Sequence, residues 1–308
     1  MKVYRHIEDV PKFKNAIITI GMFDGVHKGH QQVLKQLNEI SSNENGESIL
    51  ISFDPHPRIF LGTAEQNLQL LNTINEKIYL LEKYGLQHLI LLNFDTAFSK
   101  LSAKDFLFKV LLKYIKPKKL IIGYDHRFGN SREGDINLLR KYSAEGNYEV
   151  IEIPKHTIDN NKISSTKIRE LVKRGQVSKA NDLLGNKYML TGEVVHGKKK
   201  GRELGFPTAN IVLHEKYKLI PKDGVYATYI IISKEKYKGV LNIGIKPTFN
   251  ETERTIEVNI FDFERDIYGQ TITLELVERL RDEKDFKDTA LLQEQIKLDK
   301  EEALKLLM

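Results

Sequence analysis

The stretch Ala16-Ile-Ile-Thr-Ile-Gly-Met-Phe-Asp-Gly-Val-His-Lys-Gly-His30 joins an apolar run to a segment that contains three glycines. Its first part, Ala16–Ile20, is short, apolar and rich in β-branched side chains, which is typical of a strand buried on both faces of a parallel sheet. The second part, Gly21–His30, leads into Gln31–Ile40, whose amphipathic pattern predicts a helix. The stretch therefore predicts a strand, a glycine-containing loop and a helix in direct succession.

The same alternation of strand and helix continues through the first half of the chain. Further strands are predicted at Ser48–Phe53, His88–Leu92, Lys119–Gly123 and Glu149–Ile153. Further helices are predicted at Asn75–Tyr84 and at Ser102–Ile115, where Ser102 is the expected N-cap. This alternation is typical of a doubly wound α/β sheet, in which ligands bind beyond the carboxyl ends of the strands. Polar motifs stand at those ends: Gly21, Asp54-Pro-His-Pro57, Asn93 and Gly123–Gly129.

A different pattern begins at Tyr188. Short apolar runs separated by turn-rich segments predict an antiparallel β-barrel, with strands at Tyr226–Ile232, Val240–Ile243, Thr255–Phe261 and Thr271–Val277. The last segment, Phe286–Leu307, is amphipathic and predicts a helix that packs on the barrel. The apolar face of that helix is predicted to contain Leu291, Leu292, Ile296, Ala303, Leu304 and Leu307.

Two predicted helices lie between these patterns. One opens in Ile163–Arg169 and closes at Gly175, and the other, Val177–Leu184, ends at Gly185. Glycine is the usual residue in the left-handed conformation that closes a helix. The change of pattern after Gly185 predicts two domains, residues 1–185 and residues 186–308.

Composition excludes several classes of protein. The 308 residues include no cysteine, which excludes disulfides, thiolate metal sites and a cysteine nucleophile, and fits a cytoplasmic protein. No apolar run is long enough to span a bilayer, and residues 1–9 lack the apolar stretch of a signal peptide, so no membrane partner is expected. The net charge is +6, but we find no RNP-like motif, zinc finger or long basic run. A nucleotide substrate explains the basic excess at least as well as nucleic acid, which is not an expected partner.

A second glycine-containing segment, Gly192–Ile211, combines residue types that bind phosphates. Its glycines allow the backbone to approach a ligand closely, and its cations can face anionic oxygens. These residues are Gly192, Gly197, Gly201 and Gly205, with Lys198, Lys199, Lys200 and Arg202. Pro207 fixes the backbone before Thr208 and Asn210, whose side-chain oxygens project to one face and suit Mg²⁺ held between protein and phosphates. The alternative is a basic surface hairpin that binds nothing.

Two histidines stand at the predicted start of the first helix. His27 and His30 are three residues apart, so one face of the helix carries both imidazoles. The helix N-terminus adds N–H groups and partial positive charge. Together they can stabilise charge that builds on a phosphate under attack and on its leaving group. Two alternatives stay open: a metal site with Asp24 as third ligand, and a pair of ordinary surface histidines.

A second candidate anion site is predicted at the start of another helix. Ser164, Ser165 and Thr166 offer hydroxyl and N–H groups there, and Arg169 follows within one turn. Such a group can hold a triphosphate. Simple capping of the helix is the alternative interpretation.

Both glycine-containing motifs resemble those of one family. His196-Gly-x-x-x-Gly-Arg-x-Leu-Gly-Phe-Pro-Thr-Ala-Asn210 resembles the ATP and Mg²⁺ loop of riboflavin kinases. Gly21-x-Phe-Asp-Gly-x-His-x-Gly-His30 resembles the FMN adenylyltransferase half of the bacterial bifunctional FAD synthetases. The motifs occur in the family's order, in a chain of the family's size. The resemblance implies that residues 186–308 phosphorylate riboflavin with ATP to give FMN, and that residues 1–185 adenylylate FMN with ATP to give FAD and pyrophosphate.

The resemblance also implies roles for individual residues. In the adenylyltransferase half, the implied phosphate-binding residues are Gly21, Phe23, Asp24, Gly25, Gly29, Ser164, Ser165, Thr166 and Arg169, beside the catalytic His27 and His30. The flavin and nucleotide pocket of that half is implied to contain Asp54, His56, Pro57, Asn93, Asp125 and Phe128. In the kinase half, the implied ATP-binding residues are Gly197, Lys200, Gly201, Gly205, Pro207, Thr208 and Asn210, the last two as Mg²⁺ ligands. The implied flavin pocket of the kinase half contains Asn242, Arg279 and Arg281. His126 departs from the family, which usually has Phe at that position.

Glu257 is the candidate base for the kinase reaction. An alcohol is essentially un-ionised at pH 7, so its phosphorylation benefits from a base. Glu257 lies within a predicted strand among apolar neighbours, ahead of an Asp-x-Tyr-Gly turn, where the resemblance implies the catalytic residue. By pattern alone, a solvent-facing glutamate on an exposed strand face is the alternative.

Two alternative functions of the whole chain stay open. The first is an enzyme that is active in only one of its two halves, and the second is a flavin-binding regulator with RNA as partner.

Overall fold

The chain forms two compact units in the computed structural model, which describes residues 1–62, 68–123, 127–153, 163–197, 205–247, 252–286 and 288–307. The first unit consists of Met1–Leu68 and Lys77–Ser164, and the second of Gln69–Glu76 and Ser165–Met308. Residues 165–184 are therefore grouped with the second unit, as is the short segment Gln69–Glu76. A functional boundary at Gly185 stays a prediction.

A six-stranded parallel sheet forms the centre of the first unit. Its strands are β1 (Lys2–Tyr4), β2 (Ala16–Ile20), β3 (Glu47–Asp54), β4 (His88–Asn93), β5 (Lys119–Gly123) and β6 (Glu149–Ile153). Their order across the sheet is β1-β4-β3-β2-β5-β6. The chain moves from β2 outward to β4 and returns to the other side of β2 for β5 and β6. This confirms the predicted doubly wound sheet, and the reversal beside β2 is where such sheets bind ligands.

Helices and short helical turns connect these strands. They are α1 (Lys28–Asn43), α2 (Pro57–Phe60), α3 (Ile74–Lys83), α4 (Thr96–Ser99), α5 (Ala103–Asp105), α6 (Ile136–Lys141) and α7 (Ser143–Gly146). Ser102 caps α5 as predicted, since its Oγ accepts a hydrogen bond of 3.0 Å from Asp105 N. After α5 the chain continues as a π-helical segment, Phe106–Ile115, and not as the single α-helix that the pattern predicts.

Burial in the core of the first unit explains why some strands are predicted from the sequence and β1 is not. All five residues of β2 are buried, because helices and loops cover both faces of the central strands. Strand β1 is not predicted from the sequence. It has only three residues and pairs at the edge of the sheet, with Lys2 opposite His88, so it carries no long apolar run.

The second unit is a closed antiparallel barrel, which confirms the predicted barrel, and its described residues also form three helices. The strands are β7 (Tyr188–Val195), β8 (Ala209–Val212), β9 (Gly224–Ile232), β10 (Glu235–Pro247), β11 (Thr252–Ile260) and β12 (Thr271–Arg281). Their closed order is β10-β11-β8-β7-β12-β9. The helices are α8 (Ser165–Lys173), α9 (Val177–Leu184) and α10 (Thr289–Leu306).

Helix α10 packs on the outside of the barrel. Its Ala303, together with Leu307 just beyond its end, is fully buried in a cluster with Ala227 and Phe261. Two residues of the predicted apolar face are exposed instead, Leu291 by 55% and Leu304 by 40%. Neighbouring residues of a helix point about 100° apart, so a narrow face that contains Leu292 and Ala303 cannot also contain their neighbours Leu291 and Leu304. The face toward the barrel follows these positions: Leu292, Ile296, Asp299 and Ala303.

A buried ion pair holds the segment Gln69–Glu76 within the second unit. Lys218 Nζ donates to Glu76 Oε2 at 2.6 Å and to the Leu71 carbonyl at 2.6 Å. The Lys218 and Glu76 side chains are 0% and 2% exposed. Glu76 Oε1 accepts a hydrogen bond of 3.0 Å from Thr191 N, on β7. Because both charges are buried away from water, removing either one would leave the other uncompensated and would destabilise the fold.

Lys218→Met is expected to lower the free energy of unfolding by about 3 kcal/mol, because it leaves the Glu76 carboxylate buried without its cation. Adding Glu76→Gln should recover part of the loss. The matched control is Lys236→Met, since Lys236 pairs with Glu275 at 2.9 Å but is 49% exposed. That control should cost less than about 1 kcal/mol. Calorimetric unfolding of the full chain measures all three variants, and equal losses for Lys218→Met and Lys236→Met would contradict the expectation.

Within the part of the chain that the structure describes, no helix combines the length and apolar character needed to cross a membrane.

Candidate active sites

The loop after β2 has an unusual backbone. Phe23, Gly25 and Val26 adopt φ angles of 48°, 88° and 38°. Left-handed backbone is uncommon for non-glycine residues and is a marked departure for the β-branched Val26. The turn is held by a hydrogen bond of 3.1 Å from Val26 N to the Phe23 carbonyl. Gly21 is required because a Cβ there would lie 2.9 Å from the Phe23 ring. Strain of this kind is typical of functional sites.

This loop places the two predicted histidines against each other. His27 is the N-cap of α1, and its Nδ1 accepts a hydrogen bond of 3.3 Å from His30 N. The two imidazole rings stack with centroids 3.7 Å apart, and Phe23 stacks on His30 at 4.6 Å. Gly29 is buried in the first turn of the helix. The sequence motif therefore produces a fixed histidine pair at a helix N-terminus.

His30 is held in its neutral form. Burial, followed by the neighbouring charges of His27 and Lys77, holds the pKa of His30 well below its usual range. Its Nδ1 is buried and has no hydrogen-bond partner among the described residues. A neutral imidazole can still donate one hydrogen bond to a phosphate oxygen.

The metal alternative for this pair receives no support. Within the described ranges, no three His, Asp or Glu side chains are grouped so that they could hold a metal ion. The face-to-face stacking of His27 and His30 also does not direct both ring nitrogens at one point, as a tetrahedral site requires.

A buried lysine accompanies the loop. Lys77 is 6% exposed and Asp24 is 4% exposed. Burial lowers the pKa of Lys77, while the carboxylates of Asp24 and Asp54 act in the opposite direction. The sequence pattern does not by itself assign Lys77 to the site. The feature that could have indicated its burial is its spacing from two buried leucines of α3. Lys77 lies three residues before Leu80 and four before Leu81, and residues at these spacings share one face of a helix.

Two of the predicted polar residues are the last residues of β3 and β4 and lie side by side at the carboxyl ends of these strands. Asp54 and Asn93 are partners in the parallel register of the two strands. Asn93 donates to Asp95 Oδ2 at 3.3 Å. His56 caps α2, accepting at Nδ1 a hydrogen bond of 3.1 Å from Arg58 N, and Pro57 is the first residue of that helix.

The remaining predicted residues of this site are placed less fully. Phe128 is 7% exposed and packs in the core, with its ring 5.9 Å from that of Phe106. Asp125 and His126 lie outside the described residues. Ser164 belongs to the first unit, while Ser165, Thr166 and Arg169 belong to α8 of the second. Arg169 Nε donates to the Gln69 carbonyl at 2.8 Å. That Ser165, Thr166 and Arg169 belong to the adenylyl site therefore stays a prediction.

The barrel places four predicted site residues and Val225 in line across neighbouring strands. We call this line the cross-strand row: Asn210, Glu257, Asn242, Val225 and Arg281. Glu257 is the register partner of Asn210 on one side and of Asn242 on the other. Asn242 in turn pairs with Val225, and Val225 with Arg281. Residues directly opposite in antiparallel strands point to the same face. On β11, Ile256 and Val258 are buried on either side of Glu257, so the row lies on the outer face of the barrel.

A cavity of about 260 Å³ opens over this row, between the barrel and α10. Its polar lining includes Thr208, Asn242, Glu257 and Arg281. Its apolar lining includes Val240, Phe261, Leu292 and Ile296. Apolar walls with a few placed polar groups are typical of a small-molecule site.

The two predicted Mg²⁺ ligands lie at one side of this site. Asn210 packs so closely on Gly197 that a Cβ at Gly197 would overlap its amide. Thr208 lines the cavity, and the carbonyl of the preceding Pro207 accepts a hydrogen bond of 2.7 Å from Asn259 Nδ2. Gly205 has a φ of 80°. The predicted ATP-binding residues Lys200 and Gly201 lie outside the described residues.

The two predicted arginines have different surroundings. Arg281 lines the cavity and pairs with Asp299 of α10 at 2.8 Å. Arg279 is not brought to the cavity wall: it pairs with Asp282 at 2.6 Å and donates to the Asp223 carbonyl. The difference follows from β-bulges in β12, which change the direction of successive side chains. The predicted flavin contact of Arg279 therefore gains no support from its position.

The fold, a doubly wound α/β unit and a closed antiparallel barrel, is that of a two-domain protein in which each unit has its own candidate active site. Residues 9–167 match the family model described as FAD synthetase, and residues 184–307 match that of riboflavin kinase. A bifunctional riboflavin kinase/FMN adenylyltransferase of Buchnera aphidicola is 36% identical over 97% of this chain and 96% of that protein. The protein of the same description in Listeria monocytogenes is 37% identical, over 94% of this chain and 91% of that one.

A solved structure supports the same assignment of fold. It is described as a macrolide-efflux protein from Streptococcus pneumoniae, is 33% identical, covers 97% of each chain and has a TM-score of 0.86. Identity above 30% over nearly the whole length, with both family models matched, decides the family. The chain belongs to the bifunctional riboflavin kinase/FMN adenylyltransferases.

Proposed function

We propose that the chain makes FMN from riboflavin and ATP at the cross-strand row, and FAD from FMN and ATP at the histidine pair. The observation that carries the proposal is the position of Glu257, between Asn210 and Asn242 and in the wall of the cavity beneath α10. Since both halves match their family models, a flavin-binding regulator and a chain active in one half are not favoured.

The kinase step needs a base and a dry site. Glu257 is half-buried at the cavity wall, where its carboxylate can take the proton from the terminal hydroxyl of riboflavin. That hydroxyl oxygen then attacks the γ-phosphorus of ATP, and ADP leaves. Asn242 and Asn210 lie on either side of Glu257 and can orient the alcohol and the phosphate by hydrogen bonds. Helix α10 covers the apolar part of the cavity and excludes water from the ring of the flavin.

The donor set beside Glu257 fits a magnesium ion. Thr208 and Asn210 offer a hydroxyl and an amide oxygen, which are hard ligands, and the Asn210 amide lies in the space that the absence of a Cβ at Gly197 leaves open. These two residues would hold Mg²⁺, and the ion would neutralise phosphate charge.

The adenylyl step needs no base. The attacking group is the phosphate of FMN, which is already ionised near neutral pH. The neutral His30 imidazole, His27 and the first N–H groups of α1 donate hydrogen bonds to the α-phosphate and to the leaving pyrophosphate. Because α1 fixes the histidine pair before substrate arrives, little reorganisation is needed in the reaction.

We also propose that the enzyme acts in the cytoplasm, because a chain without cysteine forms no disulfide and so needs no oxidising compartment.

A product time course from riboflavin, ATP and Mg²⁺, with FMN and FAD resolved by chromatography, tests the function. FMN should appear first and FAD should follow at its expense. Riboflavin-dependent ATP consumption that stays at background would contradict the proposal and favour a binding protein.

Asn210→Ala is expected to raise the Mg²⁺ concentration needed for half-maximal FMN formation by about tenfold, because one oxygen ligand is lost. Adenylylation of supplied FMN should keep its wild-type Mg²⁺ dependence, which serves as the internal control. An unchanged Mg²⁺ titration of FMN formation would remove Asn210 from the metal site.

A further inference from the structure

Arg281 is the end of the cross-strand row farthest from Glu257. Three strand spacings separate the two residues, which is about 14 Å along the barrel surface. The interval contains Asn242 and Val225, and the apolar lining of the cavity lies above it. If the hydroxyl of riboflavin reaches Glu257, its ring extends along the row toward Arg281.

Helix α10 holds the Arg281 side chain from above. Arg281 Nε donates to Asp299 Oδ1 at 2.9 Å, and one terminal nitrogen donates to Asp299 Oδ2 at 2.8 Å. The other terminal nitrogen donates to the Asp282 carbonyl at 3.0 Å. This is the two-point geometry that fixes the plane of a guanidinium. Three of its five N–H donors are used in these bonds to described residues.

Asp299 is itself fixed and shielded. It is 4% exposed, and Gln295, one turn earlier in α10, donates to its Oδ1 at 2.9 Å. A carboxylate on the buried stripe of an amphipathic helix is costly unless its charge is compensated, and Arg281 supplies the compensation. Arg281 and Asp299 both line the cavity, so the charge that Arg281 brings to its wall is compensated there by Asp299.

We propose that Asp299, supported by Gln295, is a positioning residue that aligns Arg281 with the carbonyl-bearing edge of the riboflavin ring. The inference rests on the proposed kinase function of this site. Phe261 and Phe286 line the same cavity and offer apolar surface to the ring, while Arg281 offers hydrogen bonds at its polar edge. Helix α10 is therefore part of the flavin site and not only a cover on the barrel.

Asp299→Asn tests the proposal, because the amide keeps the size of the side chain but no longer accepts at two equivalent oxygens. We expect the KM for riboflavin to rise about tenfold, since a charge-assisted pair is lost, while kcat and the KM for ATP change less than about twofold. Glu302→Gln is the matched control, a carboxylate-to-amide change at an exposed position of the same helix. It should leave all three constants unchanged.

A second comparison separates positioning from a purely structural role. In an Arg281→Met background, Asp299→Asn should raise the riboflavin KM no further, because its effect passes through the arginine. A further rise of about tenfold there, or an unchanged riboflavin KM in Asp299→Asn alone, would overturn the proposal. Should Asp299→Asn fail to fold, Gln295→Met must raise the riboflavin KM by about twofold or more, and an unchanged value overturns the proposal. Wild-type protein that forms no FMN would refute the kinase function itself.

Discussion

Glu257→Gln is expected to lower kcat for FMN formation by about a hundredfold to ten-thousandfold, because the amide keeps the shape of the side chain but cannot take a proton. The effect should fall on kcat and leave riboflavin binding nearly unchanged, since most ground-state contacts remain. Steady-state kinetics with riboflavin as the varied substrate measure both constants.

Two controls make the Glu257 result specific. Adenylylation of supplied FMN should be unaffected in Glu257→Gln, because the attacking phosphate is already an anion. Glu264→Gln, the same substitution at an exposed residue beyond β11, should leave both reactions at wild-type rates. A near-wild-type kcat in Glu257→Gln would show that positioning and metal suffice, and the assignment of Glu257 as base would be wrong.

His30→Ala is expected to reduce FAD formation from FMN by about a hundredfold or more, because one preorganised donor to the reacting phosphates is lost. FMN formation should stay near the wild-type rate. His6→Ala is the matched control, since His6 is an exposed histidine of the same unit and is not in either proposed site.

The other outcomes for His30 are also informative. Equal loss of both reactions would indicate that His30 stacks between Phe23 and His27 only to stabilise the fold. Stoichiometric metal in the wild type that disappears in His30→Ala would contradict the phosphate role and restore the metal interpretation.

Elements with a local pattern could be predicted from the sequence. Strand β2 is predicted with its observed bounds because all of its residues are buried, which produces an unbroken apolar run. The start of α1 is predicted nearby because a glycine-containing loop and two histidines three apart are short-range features. Ser102 and Gly175 are predicted as caps for the same reason, since capping depends on a few adjacent residues.

Features that depend on long-range packing could not be predicted. The sequence identifies Glu257 as a candidate, but its place between Asn210 and Asn242 depends on the closed register of three strands. Lys218 and Glu76 are separated by 142 positions, and neither has a local pattern that indicates its partner. Asp299 is hidden for a similar reason, because a carboxylate on an apolar helix face is understood only when Arg281 is found opposite.

A complementation assay tests the central claim, that one chain carries two separate catalytic sites, most directly. Glu257→Gln and His30→Ala are each incubated with riboflavin, ATP and Mg²⁺, alone and mixed, and FMN and FAD are followed over time. His30→Ala alone should accumulate FMN, Glu257→Gln alone should make little of either flavin, and the mixture should regain FAD formation. Variants that each lose both reactions, or a mixture that makes no more FAD than its components, would contradict the account.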